Sequence, residues 1–391
     1  MKRHIALIAL VSIALTQAAA FEYGGIIDNN ITGRVTANNW IDPRLSDTAT
    51  VTVNMRQPFN KDGTVYIAAE GFFRYDLGVT LIPLSFAHNF TTDLSLFKVG
   101  ANIRLNNNKS LSFSVGRFWA ADDTGLIFNQ TLDGLWFQFN ASRAVIQVAG
   151  GYTGLLNAKT TSMLTSTGTN WSFDRSQPFY VLAAPYIIGN AKVEFPYLFA
   201  NQTLTVEALG AFGIDIAQTD GNRMYATLAL NGPLAPVLFY ELSSTVSVHD
   251  FDFSALSNLS RLEFTVYPHG NSMKLKFGAT YASGTIPDVF SPFAAITAQP
   301  AVSLAGKGYS GILKTGLSFS VKANNKFLLV LGGDALFDCK TDFAFSGVQA
   351  AMDMRFQFFS DLALDLDAKS YFAMEEAKNA TSVSLKLTIS F

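Results

Sequence analysis

Apolar and polar residues alternate in short runs from one end of the chain to the other. In the last run Val383, Leu385, Leu387, Ile389 and Phe391 fall on one side, and Ser382, Ser384, Lys386, Thr388 and Ser390 on the other. A period of two is the signature of a strand with one apolar face. The same pattern sets Phe97, Val99, Ala101 and Ile103 against Lys98, Asn102 and Arg104. It recurs with Leu262, Phe264 and Val266 against Arg261, Glu263 and Thr265, and with Leu362, Leu364 and Leu366 against Asp365 and Asp367.

Eighteen such segments are predicted as strands. The first nine lie near 24–37, 48–58, 64–75, 94–105, 110–118, 133–140, 143–151, 191–198 and 203–214. The other nine lie near 222–230, 236–247, 258–267, 272–282, 310–322, 326–337, 345–357, 361–372 and 381–391. Most have the roughly 9–11 residues that a tilted membrane strand needs. Their connections alternate in length. Short turns such as Asn60-Lys61-Asp62-Gly63, Asn140-Ala141-Ser142 and His269-Gly270-Asn271 follow the even strands, where Asn and Gly tolerate positive φ. Longer connections follow odd strands, notably 76–93, 119–132, 152–190 and 283–309. A membrane barrel has short turns on one rim and long loops on the other. The expected fold is therefore all-β, a transmembrane antiparallel β-barrel of about 18 strands, with 16 as the alternative.

Composition strengthens that picture against a soluble sandwich or solenoid. Hydrophobic residues make up 49% and aromatics 13%, with 34 Phe, while charged residues are only 15%. Soluble domains carry about 25% charged residues. No run after residue 20 is long enough for a membrane helix. Residues 1–20 read as a signal peptide: Lys2 and Arg3, an apolar stretch from Ile5 to Thr16, then Ala18-Ala19-Ala20 before the expected cut. That leaves 21–391 as one outer-membrane β-barrel domain, with no fixed-period repeat to divide it. The single cysteine, Cys339, rules out an intramolecular disulfide, so hydrogen bonding and packing must hold the secreted chain. A net charge of −2 argues against nucleic acid as a partner.

With the strands placed, the chain resembles large bacterial outer-membrane porins of the specific-porin type. The terminal strand SVSLKLTISF, ending in Phe391, is similar to the signal read by the barrel assembly machinery. The segment 115–139, VGRFWAADDTGLIFNQTLDGLWFQF, is similar to a porin strand–loop–strand in which Gly-Arg precedes the loop and Asp-Gly follows it. The resemblance implies passive diffusion of small polar solutes, contact with outer-membrane lipid, a homotrimer by analogy, and no cofactor. It also implies that loop 119–132 folds inward, making Arg117, Trp119, Asp122, Asp123 and Asn129 constriction candidates.

If the apolar faces meet lipid, the other faces line a pore. The basic candidates are Arg56, Arg74, Lys98, Arg104, Arg143, Arg223, Arg261, Lys274, Lys276, Lys314 and Arg355, joined by Lys192, Lys322, Lys369 and Lys386. Against them stand Glu70, Glu194, Glu207, Glu241, Glu263, Asp353, Asp365 and Asp367. Two readings stay open. The basic excess gives a mildly anion-preferring lumen, or the charges pair across strands and leave little field. Aromatics near strand ends, including Phe118, Tyr267, Tyr281, Phe337 and Phe372, read as interfacial girdles. His88, His249 and His269 show no metal-ligand spacing, so an enzyme is not expected. The alternatives to a porin are a carrier for hydrophobic compounds, which would need an N-terminal plug and an apolar pocket, and a barrel that only anchors adhesive or antigenic loops.

Overall fold

The computed structural model describes residues 21–36, 43–106, 108–157, 160–165, 168, 170, 180–214, 221–286, 289–340, 343–375 and 378–391. The expected signal peptide lies outside them. Eighteen antiparallel strands form one sheet that closes on itself. They are β1 (Glu22–Thr36), β2 (Arg44–Pro58), β3 (Val65–Leu81), β4 (Leu84–Asn106), β5 (Lys109–Ala121), β6 (Asn129–Asn140), β7 (Val145–Tyr152), β8 (Tyr186–Phe199) and β9 (Gln202–Gly213). The sheet continues through β10 (Arg223–Ala235), β11 (Leu238–His249), β12 (Asp252–Val266), β14 (Met273–Ala282), β17 (Ile312–Asn324), β18 (Phe327–Asp338), β19 (Ala344–Gln357), β20 (Leu362–Ala373) and β21 (Ala380–Ser390). Three short strands stand outside the barrel order: β13 (Pro268–Asn271), and the pair β15 (Pro300–Val302) and β16 (Lys307–Gly308).

The seam between β1 and β21 closes the ring, in register from Ile26↔Ser390 to Thr36↔Ala380. Phe391 extends it: its N–H and C=O exchange 2.9 Å hydrogen bonds with Gly25. Its ring lies where a side chain on residue 25 would be, 2.4 Å from the position of a Cβ, so any larger residue there would displace the ring.

The alternation sorts side chains as expected. Val383, Leu385, Leu387 and Ile389 lie exposed on the outer face beside Val51, Val53, Phe113, Val115 and Leu135. Every residue pair in the ladders keeps one parity outward, apart from local shifts such as the bulge at Glu70/Gly71 opposite Ser95. So large an apolar surface marks contact with lipid or protein.

The expected loop 76–93 is instead the arms of a long hairpin, in register down to Leu81↔Leu84 around a two-residue turn, Ile82-Pro83. Leu77, Val79 and Leu81 alternate with Asp76, Gly78 and Thr80, so the strand signal continues into it. Pro83 at the turn interrupts the run without ending either strand. Phe118, expected in a girdle, points inward and is 3% exposed.

Candidate functional site: the lumen and its loops

Two loops and one hairpin tip meet inside the barrel. The β5–β6 tip (122–128) is shaped by Asp122, whose Oδ1 accepts N–H groups of Ile127 (2.9 Å) and Phe128 (2.7 Å). Its Oδ2 accepts the N–H of Thr124 at 2.9 Å. The tip reaches the neighbouring wall at β8 and β9, where Asp123 N–H donates to Glu207 (2.9 Å) and its carboxylate pairs with Lys192 (3.5 Å). The carbonyl of Ile127 then accepts from Ile296 (2.8 Å) and Thr297 (3.0 Å) of the β14–β17 loop. Asn129 N–H donates to Thr297 Oγ1 (3.1 Å). The β7–β8 loop joins through Leu164 N–H to Ile296 C=O (2.8 Å) and Ala298 N–H to Ser162 C=O (2.8 Å).

Arg223 fastens this assembly to the wall. It is fully buried, and its guanidinium donates to the carbonyls of Ala295 (2.9 Å), Leu164 (2.8 Å) and Thr165 (3.3 Å). Tyr225 OH donates to Ala294 C=O (2.6 Å). Apolar packing supplies the rest. Ile127, Phe128, Met163, Phe293 and Ile296 from the loops meet inward residues Tyr186, Ile188, Leu209, Leu259, Ile312 and Leu336. Tyr309 sits at the edge, its hydroxyl pKa pushed up by burial.

At this level a cavity of about 440 Å³ lies beside Thr124, Leu126 and Tyr309, and a passage of about 820 Å³ lies along the opposite wall. Thr32, Arg34 and Thr36 of β1, Arg44 and Ser46 of β2, and Gly78 and Thr80 of β3 line it, with Asp367, Lys369, Ser382 and Ser384 of β20 and β21. Ser303 and Leu304 of the β14–β17 loop face them.

The inward wall carries Arg56, Arg74, Lys98, Arg104, Lys192, Arg223, Arg261, Lys274, Lys276, Lys314, Lys322, Arg355, Lys369 and Lys386, as their register places them. Most are paired with carboxylates. Arg261 meets Glu263 (2.8 Å) and Glu241 (3.3 Å), and Lys276 meets Glu263 (2.7 Å). Lys369 meets Asp367 (2.8 Å) and Arg74 meets Asp76 (3.1 Å). Arg56 pairs with Glu22 (3.5 Å) and Lys314 with Asp334 (3.6 Å). Arg355 pairs with Asp365, and Lys386 with Asp28, both at 3.6 Å. Among the described residues Lys98, Arg104, Lys274 and Lys322 make no ion pair. Arg143 is outside the wall, in the short turn between β6 and β7.

Two constriction candidates sit elsewhere than the lumen. Trp119 shares the face of Phe113 and Val115 and is 62% exposed on the outside. Arg117 has outward parity too, yet is 1% exposed. It lies where β4 and β5 part: their pairing stops at Phe97↔Arg117, while β4 goes on with β3 and β5 with β6. Gly116 allows the approach, since its φ is +124° and a Cβ would stand 2.1 Å from Phe97 O. Arg117 grips Asp133 with two bonds (2.6 and 2.7 Å) and reaches across the parting to Asp93 (3.0 Å) and the Leu94 carbonyl (2.9 Å). The β7–β8 loop closes the parting. Leu156 N–H donates to Asp133 (2.9 Å), Asn157 C=O accepts from Arg117 (2.8 Å), and Thr160 Oγ1 donates to Asp93 (3.1 Å). Leu156 lies on the outer face and Met163 in the lumen.

Among the described residues no group of three or more His, Cys, Asp or Glu is placed to hold a metal ion. Sequence reasoning did not identify the clamp of Arg223 and Tyr225 or the partly apolar segment 293–304. The available signal was the inward positions 186, 188, 209, 225, 259, 312 and 336, apolar on strands whose other face is apolar as well.

No protein-family model matches the chain, and no curated protein matches it in sequence. Solved structures do match in fold. OccK11 (OpdR) of Pseudomonas aeruginosa superposes with a TM-score of 0.59 at 13% identity, over 95% of this chain and 96% of that one. OccAB4 of Acinetobacter baumannii gives 0.62 at 11% identity, over 96% and 99%. The outer membrane protein OprD of Pseudomonas aeruginosa gives 0.61 at 12%, over 95% and 94%. The chain therefore has the closed 18-stranded fold of these outer-membrane proteins.

Proposed function

We propose that this protein is an outer-membrane porin through which small hydrophilic solutes diffuse passively. The observation that carries the reading is the polar passage beside Ser303 and Leu304, inside a barrel whose outer face is an apolar belt. Only a bilayer hides that belt, and only a polar lumen gives water and solutes a way through it. In this reading residues 1–20 are removed on export, the long loops face outward, and the strand ending in Phe391 addresses the chain to the assembly machinery. Oligomer formation rests on the resemblance to porins alone.

The narrowed passage also sets the solute preference. Arg34 faces it beside the Lys369–Asp367 pair. Many cations elsewhere on the wall are paired with carboxylates, while Arg34 lies in the restricted passage, so a mild preference for anions arises at this level. The apolar centre around Phe128 and Phe293 is filled by packed side chains, which weighs against a carrier for hydrophobic compounds.

Single-channel recording of the refolded mature protein in a planar bilayer tests the proposal. Steady openings with an anion-directed reversal potential in a salt gradient are expected. A folded barrel that never opens would overturn the porin reading, and openings without ion preference would remove the role given to Arg34.

A further inference from the structure

We infer that the outer face of β1–β4 holds a single lipid acyl chain in a groove built for it. The inference goes beyond the porin reading and rests on it for the bilayer. A barrel normally presents a convex apolar surface to lipid. Here a concavity of about 800 Å³ interrupts it, within the range of about 300–1,000 Å³ common for ligand sites.

The register explains the hollow. One row runs Gly25↔Val53↔Gly71↔Leu94, and the next runs Tyr23↔Met55↔Ala69↔Phe97. Gly71 and Ala69 therefore form a low floor between the larger residues of β2 and β4, with Leu94 leaning over Gly71 and Phe73 closing the floor at its far end. Val51, Val53 and Met55 raise one flank, and Leu94 raises the other. Leu156 adds to that second flank from outside the wall, because the β7–β8 loop lies there to cover Arg117 and Asp133. Two inter-strand spacings put the flanks roughly 10 Å apart. That width leaves space for one extended alkyl chain in contact on both sides.

The flanking residues belong to the lipid-facing belt, so the groove opens into hydrocarbon. An empty groove would forfeit dispersion contacts along its length, since its lining is mostly apolar, with Asn54, Thr92, Asp93 and Asn157 the polar members. Phe21 and Tyr23 close the end near the short-turn rim, at the level where aromatic rings meet head groups. The occupant is thus a phospholipid of the periplasmic leaflet, its head group beside Tyr23.

The test uses the mature protein in nanodiscs containing phosphatidylglycerol with a mid-chain diazirine. Photolabel concentrated on 21–23, 51–55 and 156 is expected. Even labelling around the barrel would overturn the inference. Native mass spectrometry of the same protein with unlabelled phosphatidylglycerol should show one adduct that survives in wild type and in Ala101→Leu, which adds bulk to the outer face away from the groove. Gly71→Leu and, independently, Ala69→Leu should lose it, with unheated gel mobility reporting that each variant is folded. Persistence of the adduct in both folded variants would overturn the site. A change in oligomeric state with labelling lost in wild type would assign the groove to a second copy of the chain instead. Channel conductance in the same preparations reports separately on the porin reading.

Discussion

Near the loop rim, the inward side chains of β8 to β12 and of β17 and β18 include the buried apolar residues Tyr186, Ile188, Leu209, Tyr225, Leu259, Ile312 and Leu336, set among buried polar ones such as Arg223, Thr245, Ser247 and Ser257. At the same rim on β1 to β3 and on β20 and β21 they are mostly polar, Thr32, Arg34, Thr36, Arg44, Ser46, Thr80, Lys369 and Ser382, with Tyr371 and Ala380 the buried apolar members. Both halves obey one alternation, and both point these residues into one lumen. They differ in what faces them. The first set meets the backbone and apolar side chains of 160–165 and 291–304; the second meets solvent and the tip at Ser303 and Leu304. The inner face of a barrel thus records where loops dock. An inward apolar residue is costly against water and favourable under a loop.

The largest effect should come from erasing the difference. Excising 291–304 with a short glycine bridge strips the cover from the apolar half, and conductance should rise roughly two-fold or more as the cross-section is restored. Unchanged conductance would mean that the passage along β1 to β3 was never the narrow point.

At the boundary between the halves, Arg117→Met leaves Asp93 and Asp133 buried without their cation. Breaking such a cluster costs about 3–5 kcal/mol. The folded, heat-modifiable band should melt at clearly lower temperature or urea concentration. Melting unchanged from wild type would show that the β7–β8 loop closes the parting without the ion cluster.

Arg223→Met should act more locally. The carbonyls of Ala295 and Leu164 lose their donor, at about 1–3 kcal/mol for each buried group left unpaired. The barrel should stay folded while 291–304 becomes open to protease and the channel current turns noisy. A quiet, protected loop would place the anchorage in the apolar cluster alone.

A finer contrast tests the open half. Arg34→Glu should change the anion-to-cation permeability ratio by roughly two-fold, because it alters charge in the restricted passage. Lys314→Gln, on the covered side and paired with Asp334, should shift it much less. Equal shifts would show that ions sample both walls alike. The smallest effect belongs to Lys276→Gln, where Arg261 still neutralises Glu263; stability should change by under about 1 kcal/mol.

Much of the barrel was legible because a period of two is a property of neighbours in the chain. All eighteen wall strands overlap the segments predicted for them. What escaped was decided between distant residues. Arg117 was read from its Gly-Arg context as a constriction residue, but its partners Asp93, Asp133 and Asn157 come from three other elements. Arg223 looks like any inward cation until 164 and 295 are brought to it. The pairing of Lys276 with Glu263, or of Lys386 with Asp28, depends on register, which alternation alone leaves open.

The seam at Gly25 and Phe391 bears on how the molecule forms. It joins residues about 360 positions apart, and closing such a ring costs ~3 kcal/mol more chain entropy than closing a ten-residue hairpin. The seventeen neighbouring pairings are local by comparison, so they zip first and the seam follows. Until then β1 and β21 present unpaired edges under an apolar face, the arrangement most exposed to wrong partners. An agent that holds those two edges apart from other chains, and releases them to each other, would govern the yield of this protein more than any change in its finished stability.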